Sequence, residues 1–220
     1  MKYKDISGPD GVPDGVIDDY DKTNIGSPMP KFTFGWTNTF RYKNFDLSVF
    51  INGSYGNKVY NYLSMKLTHM NSPWTNQLNA VNGRAQLVPI NPNKVYEDGT
   101  MWYNDVSNVM VANPGASIPR ATINDPNDND RISDRYIEDG SYIRLKNISL
   151  GYTFPKKTID KLGLSNLRIY ANIQNLLTIT GYDGYDPEIG ASTSSVNVYG
   201  LDNGRYPSPT VYSFGLNVSF

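Results

Sequence analysis

From Lys31 onward the chain alternates. Phe32, Phe34, Trp36, Phe40 and Tyr42 share one parity, while Lys31, Thr33, Gly35, Thr37, Thr39 and Arg41 fill the other. A period of two predicts a strand with one apolar face. Lys43-Asn44 suits a tight turn. Phe45, Leu47, Val49, Ile51 and Tyr55 then alternate with Asp46, Ser48, Asn52 and Ser54, and only Phe50 is out of step. Together the two runs predict a long hairpin. A third run spans Tyr142 to Phe154. Ile148, Leu150, Tyr152 and Phe154 hold one parity there, but Ile143 and Leu145 hold the other, which predicts a bulge near Lys146. A fourth sets Leu167, Ile169, Ala171 and Ile173 against Arg168, Tyr170, Asn172 and Gln174. The fifth, residues 210–220, sets Tyr212, Phe214, Leu216, Val218 and Phe220 against Val211, Ser213, Gly215, Asn217 and Ser219.

The length of these runs changes their meaning. Globular strands have about 5–6 residues, whereas membrane strands need about 9–11. The polar parity is Thr, Ser, Asn, Gly and Arg, which suits a wet lumen. A soluble sheet with one solvated face is the competing reading. Connections alternate short and long, as the turns and loops of bacterial barrels do. The expected fold class is therefore all-β: an antiparallel transmembrane β-barrel segment, the C-terminal strands of a larger barrel, with long extracellular loops. Residues 1–220 are read as that C-terminal part. Residues 1–30, 57–140 and 178–209 are the expected extracellular loops, and 210–220 is the final strand. Five strands do not close a typical bacterial barrel. Made alone, such a sheet would leave its edges unpaired and aggregate.

The middle loop has features of its own. Tyr60, Leu63, Leu67 and Met70 have helical spacing, and His69, the single histidine, falls among them and reads as an ordinary surface or packing residue. Pro73, Pro89, Pro92, Pro114, Pro119 and Pro126 punctuate the rest. Short strands are expected around residues 94–103 or 109–112.

Composition excludes several classes. Hydrophobic residues are 39% and charged residues 19%, with 17 Tyr and 25 Asn. Disordered chains lack such aromatic content. A net charge of -1 leaves no electrostatic footprint for nucleic acid. No apolar run reaches the about 18 residues of a membrane helix, a criterion that does not bear on barrels. Without cysteine and with one histidine, thiolate sites, disulfides and multi-histidine metal sites are impossible. The first residues, Met1-Lys2-Tyr3-Lys4, are followed by no apolar core of a signal peptide. Paired acids such as Asp186 and Glu188 occur, but among 21 acidic residues they do not identify an enzyme.

Several motifs carry a resemblance. The terminal alternation Tyr212, Phe214, Leu216, Val218, Phe220 resembles the C-terminal insertion signal of outer-membrane proteins. The stretch 136–155, Leu167-Arg168-Ile169-Tyr170, Gln174-Asn175-Leu176, Gly184-Tyr185-Asp186-Pro187-Glu188, Asp14-Gly15-Val16-Ile17-Asp18 and the stretch 25–30 are similar to segments of SusC/RagA-type TonB-linked transporters. The resemblance implies a plugged barrel of about 22 strands. It implies an outer-membrane location, insertion by the barrel-assembly machinery and contact with outer-membrane lipid. It also implies import of large solutes, here oligosaccharides, with a surface SusD-like lipoprotein. TonB would act only through an N-terminal part that this sequence lacks. A soluble secreted β-sandwich that binds carbohydrate is the alternative.

Candidate sites follow. Asp10, Asp14, Asp18 and Asp21, with Gly15, have the spacing of positions one, five, nine, twelve and six of a calcium loop, although Val12 and Pro13 interrupt it. Asp125, Asp128 and Asp130 invite the same idea. Calcium is the one candidate ion, and no other cofactor is expected. Trp74, Trp102 and Tyr103, on the middle loop, are candidate sugar-stacking residues. Trp36, Tyr42, Tyr152 and Tyr212 are candidates for the aromatic girdles of a barrel.

Overall fold

The computed structural model describes residues 3–125, 127–189 and 198–220, so Pro126 and part of the predicted 178–209 loop lie outside the described residues. In chain order the strands are β1 (Phe32–Tyr42), β2 (Phe45–Tyr55), β3 (Lys58–Asn61), β4 (Leu87–Pro89), β5 (Val109–Val111), β6 (Ile137–Asp139), β7 (Tyr142–Thr153), β8 (Asn166–Thr180), β9 (Leu201–Asp202) and β10 (Val211–Ser219). Two short helices, α1 (Tyr62–Thr68) and α2 (Lys156–Ile159), accompany them. The chain forms two compact units, Gly26–Asn61 with Ile137–Phe220 and Met1–Ile25 with Tyr62–Tyr136.

The first of these units is dominated by a five-stranded sheet ordered β1-β2-β7-β8-β10, antiparallel throughout. Register explains its two faces. Phe40, Leu47, Leu150, Ala171 and Phe214 line up across all five strands, and the next row is Thr39, Ser48, Ser149, Asn172 and Ser213. A slip of one residue would put every polar side chain on the apolar face. That apolar face is open: Phe40 is 55% exposed, Leu150 48% and Phe214 83%. A sandwich would bury such rows against a second sheet, whereas a membrane strand presents them to lipid. Among the described residues β1 and β10 are the edges of this wall.

The bulge falls where parity changes. Opposite β2 the register passes from Asn147 to Leu145 while β2 advances one residue from Phe50 to Ile51. Lys146 is thus in excess, and Leu145 and Ile148 reach the same apolar face. Phe50 lies in the polar row, over Gly35, where a Cβ would meet its ring at 3.3 Å.

Beyond the wall, β3 pairs antiparallel with β6 and parallel with β9. The Lys58 amide donates to Ser27 O and the Tyr60 amide to Gly200 O, both at 2.7 Å. Gly200 has φ +69, and a Cβ there would press on the Lys58 carbonyl, so the approach requires glycine. Val59 is fully buried in this small sheet.

The other unit contains the N-terminal segment, α1 and the β4–β5 ladder. The helix is shorter than its spacing predicts, and its buried residues are Met65 and Thr68. Residues 109–111 form the expected short strand. The 94–103 stretch departs from expectation, and a 3-10 turn, Trp102–Asn104, closes it. Asn108, 4% exposed, organises this region by donating to Asn91 O and Tyr96 Oη and accepting from the Asn91 amide.

Candidate functional site

An open cleft of about 990 Å³ lies in the unit that contains α1. One wall is the chain entering β4, residues 84–87, and another is the Trp102–Asn104 turn; the third is 120–125. Backbone pairing sets the walls: the Ala85 amide donates to Ile118 O at 2.9 Å, and the Thr122 amide to Met70 O at 3.1 Å. Asp105, just after the turn, holds it by accepting from Lys94 Nζ at 2.6 Å and Tyr96 Oη at 2.9 Å. Lys94 above all, then Ser107 and Tyr96, keeps the Asp105 carboxyl well below the usual carboxylate range.

Trp102 and Tyr103 both line this cleft, ring centroids 5.7 Å apart and edge-on at 79°. Trp74 does not join them. It is 92% exposed and outside the cleft lining, so the three aromatics singled out by the sequence are not one platform. The sequence offered no signal for Arg84 and Arg120, which also line the cleft. Neither makes an ion pair among the described residues; Arg84 Nη1 donates to Val81 O at 3.3 Å.

His69 is more than a packing residue. Its Nε2 lies 2.9 Å from Asp125 Oδ2 and its Nδ1 3.9 Å from Asp130 Oδ2. Among the described residues this is the one group of three metal-capable side chains whose ligand atoms lie within 4.8 Å of one another. With a different carboxylate at each ring nitrogen, the geometry is that of an imidazole clamped between acids. Burial works to raise the Asp125 carboxyl, but the Asn129 amide and His69 outweigh it and hold the carboxyl down. Nearby, Tyr3 Oη donates to Asp128 O at 2.8 Å, and burial, then Tyr136, pushes that phenol up to about 12.

The acidic loop is ordered by its own carboxylates. Asp21 accepts from the amides of Ile6, Ser7 and Asp18, and Asp18 accepts from Tyr20 to cap the Asp19–Asp21 turn. Asp14 accepts from the Val16 amide. Asp10 is exposed in the Gly8–Gly11 turn, outside these bonds, whereas Asp5 joins them. Asp5 Oδ2 accepts from the Gly15 amide at 2.6 Å, its Oδ1 is buried without a partner, and its carboxyl lies against that of Asp21. Asp5 lies outside the spacing that singled out Asp10, Asp14, Asp18 and Asp21.

On the wet face of the wall, Arg144 of β7 is 3% exposed. It donates to Asp186 Oδ1, to Glu188 Oε2 at 2.7 Å and to Thr178 Oγ1 at 2.8 Å, and Lys146 reaches Glu188 at 2.8 Å. The Asp-Pro-Glu segment thereby clamps the chain after β8 onto the sheet. Tyr182 adds a second clamp, its Oη donating to the buried Asp202 at 2.6 Å. Burial, helped by Asp202, drives the Tyr182 phenol far above its ordinary value.

In β10, Tyr212, Phe214, Leu216 and Val218 all lie on the open apolar parity, with exposures of 62%, 83%, 60% and 37%, and Phe220 beyond the strand is 93% exposed. Of the expected girdle residues, Tyr42 and Tyr152 flank the Lys43-Asn44 turn, where Phe45 packs at 4.7 Å on Tyr152. Trp36 departs from that expectation: it is the fifth of eleven residues in β1 and faces Ile51. Tyr212, near the start of β10, pairs with Ile173, well inside β8.

No family model matches the chain. It is 35% identical over 223 residues to TonB-dependent receptor P3 of Formosa agariphila, covering 99% of this chain and 19% of that one. It is 29% identical over 209 residues to TonB-dependent receptor SusC of Bacteroides thetaiotaomicron, covering 94% and 17%. A solved structure of the RagAB peptide importer in its closed-closed state superposes with a TM-score of 0.65 at 19% identity, over 97% of this chain and 20% of that one. The chain spans about a fifth of the length of these relatives. Over its whole length the chain belongs to the family of SusC/RagA-type TonB-dependent receptors, a family of the outer membrane.

Proposed function

We propose that the chain is a wall-and-loop segment of a receptor that imports large solutes across the outer membrane, driven through TonB. The observation that carries this is the five-stranded sheet with an open apolar face and a polar opposite face, in a chain similar along its length to TonB-dependent receptors. The sheet supplies barrel strands, β10 the insertion signal, and residues 1–30, 57–140 and 178–209 the extracellular side. The substrate is an oligosaccharide, received with a SusD-like surface lipoprotein. Trp102 and Tyr103 in one cleft support that choice; the RagAB relative is named a peptide importer, so peptide is the competing cargo. The role is that of a receptor, not an enzyme, in line with relatives named as receptors and importers. Uptake of labelled oligosaccharides by source cells, with and without the locus, tests the reading. Loss of peptide uptake alone would reverse the cargo, and unchanged uptake of both would remove the function.

A calcium site that draws Asp10, Asp14, Asp18 and Asp21 together is proposed for the acidic loop, in which, among the described residues, no three carboxylates lie within 4.8 Å of one another as it stands. Gly15 stands sixth counting from Asp10, the position where such loops need a glycine. Calcium is expected to raise the melting temperature of the receptor, and Asp14→Asn to reduce the rise. An unchanged melting temperature in wild type removes calcium.

A further inference from the structure

Two arginines line the cleft that holds Trp102, and neither has an acidic partner among the described residues. The acid in the same lining, Asp125, is committed to His69 and to Asn129. Arg84 and Arg120 are both partly buried, so their charges are only partly screened by water. Neither charge meets a carboxylate within ion-pair distance among the described residues, and an anion entering the cleft would supply one. A guanidinium fork matches a carboxylate or sulfate in two parallel hydrogen bonds. Beside them, Trp102 offers a flat face, and Gln86, Asn104 and Asn124 offer amides suited to hydroxyl groups.

We infer that this cleft is a subsite for an acidic oligosaccharide, with Arg84 and Arg120 holding its carboxylate or sulfate groups and Trp102 stacking on a sugar ring. The inference rests on the receptor reading above and narrows its substrate. A neutral glycan would leave both guanidinium groups without an anion. A peptide would have acidic side chains but no sugar face for the indole.

The test uses the receptor at its native length, purified in detergent, with tetragalacturonate as the probe and calorimetry at neutral pH. The fully methyl-esterified tetramer has the same sugars without charge, and tetraglutamate has the charge without sugars. Binding of tetragalacturonate is expected to exceed that of the ester by about tenfold or more and to weaken as salt rises. The double variant R84Q/R120Q is expected to lose that preference. If it does not assemble, R120Q alone serves, because Arg120 holds no hydrogen bond within the described residues. Equal binding of acid and ester, an unchanged variant, or tighter binding of tetraglutamate would overturn the inference. Membrane fractionation of the same cells separates the two levels. A receptor in the outer membrane that ignores charge sinks only this inference. A protein absent from that membrane sinks the receptor reading as well.

Discussion

Arg144 on β7 and Asp186, forty-two residues later, form an ion pair whose side chains are 3% and 5% exposed. Glu188 and Lys146 extend the pair to the surface, and the amides of Ser208 and Glu188 donate to Asp186. The clamp fixes the chain leaving β8 against the polar face of the sheet. Arg144, Lys146, Asp186 and Glu188 all lie in stretches that resemble the family's segments.

Arg144→Met leaves Asp186 buried without a cation. Breaking one side of a buried pair costs about 3–5 kcal/mol. The urea midpoint of the folded receptor is expected to fall accordingly. Lys146→Met, at a side chain 32% exposed, removes only about 0–1 kcal/mol.

Acid should release the same clamp. Burial works to raise the Asp186 carboxyl, yet Arg144 and the two amides together bring it to about 2 from the ordinary 3.8. A carboxyl lowered by folding stabilises above its unfolded value and loses that contribution as pH falls through the folded one. Some 2 kcal/mol should therefore be lost between about pH 4 and pH 2. Acid titration of wild type against Asp186→Asn reads this directly, and equal slopes for the two would refute it.

Gly151 separates Asp46 from Arg168, which pair at 2.6 Å across β7. A Cβ at Gly151 would strike both side chains. Gly151→Ala is expected to destabilise the folded form by about 1–3 kcal/mol. Adding Arg168→Ala should recover part of the loss, and a double-mutant cycle measures how much.

The two faces of the wall should respond oppositely to charge. Leu150→Arg on the apolar face is expected to cost about 2–4 kcal/mol and to lower the yield in the outer membrane. Ser149→Arg, one residue away on the wet face, should leave that yield nearly unchanged. Equal effects would contradict a lipid-facing apolar row.

Much of the wall was legible in the residues. Phe32 to Tyr42 and Phe45 to Tyr55 alternate cleanly enough to bound the hairpin, and the parity change between Leu145 and Ile148 located the bulge at Lys146. Phe50 was not legible as a wet-face residue, because its reason, the bare Gly35 beneath its ring, lies on another strand. The cleft was half legible. Trp102 and Tyr103 are adjacent in sequence, but Trp74 was grouped with them by type alone. His69 was undervalued because its partner Asp125 is fifty-six residues away.

By itself, then, the sequence determined the five strands of the wall, their two faces and the bulge, because side-chain direction alternates with a local period of two. Which acid meets which base was decided only by the tertiary structure. Asp46 finds Arg168 122 residues on, and Asp5 finds the Gly15 amide ten residues on. With 21 acidic and 20 basic side chains in the chain, composition permits many pairings. Register across the sheet and the path of the loops select among them, since an ion pair forms only where the backbone brings its ends within a few ångströms.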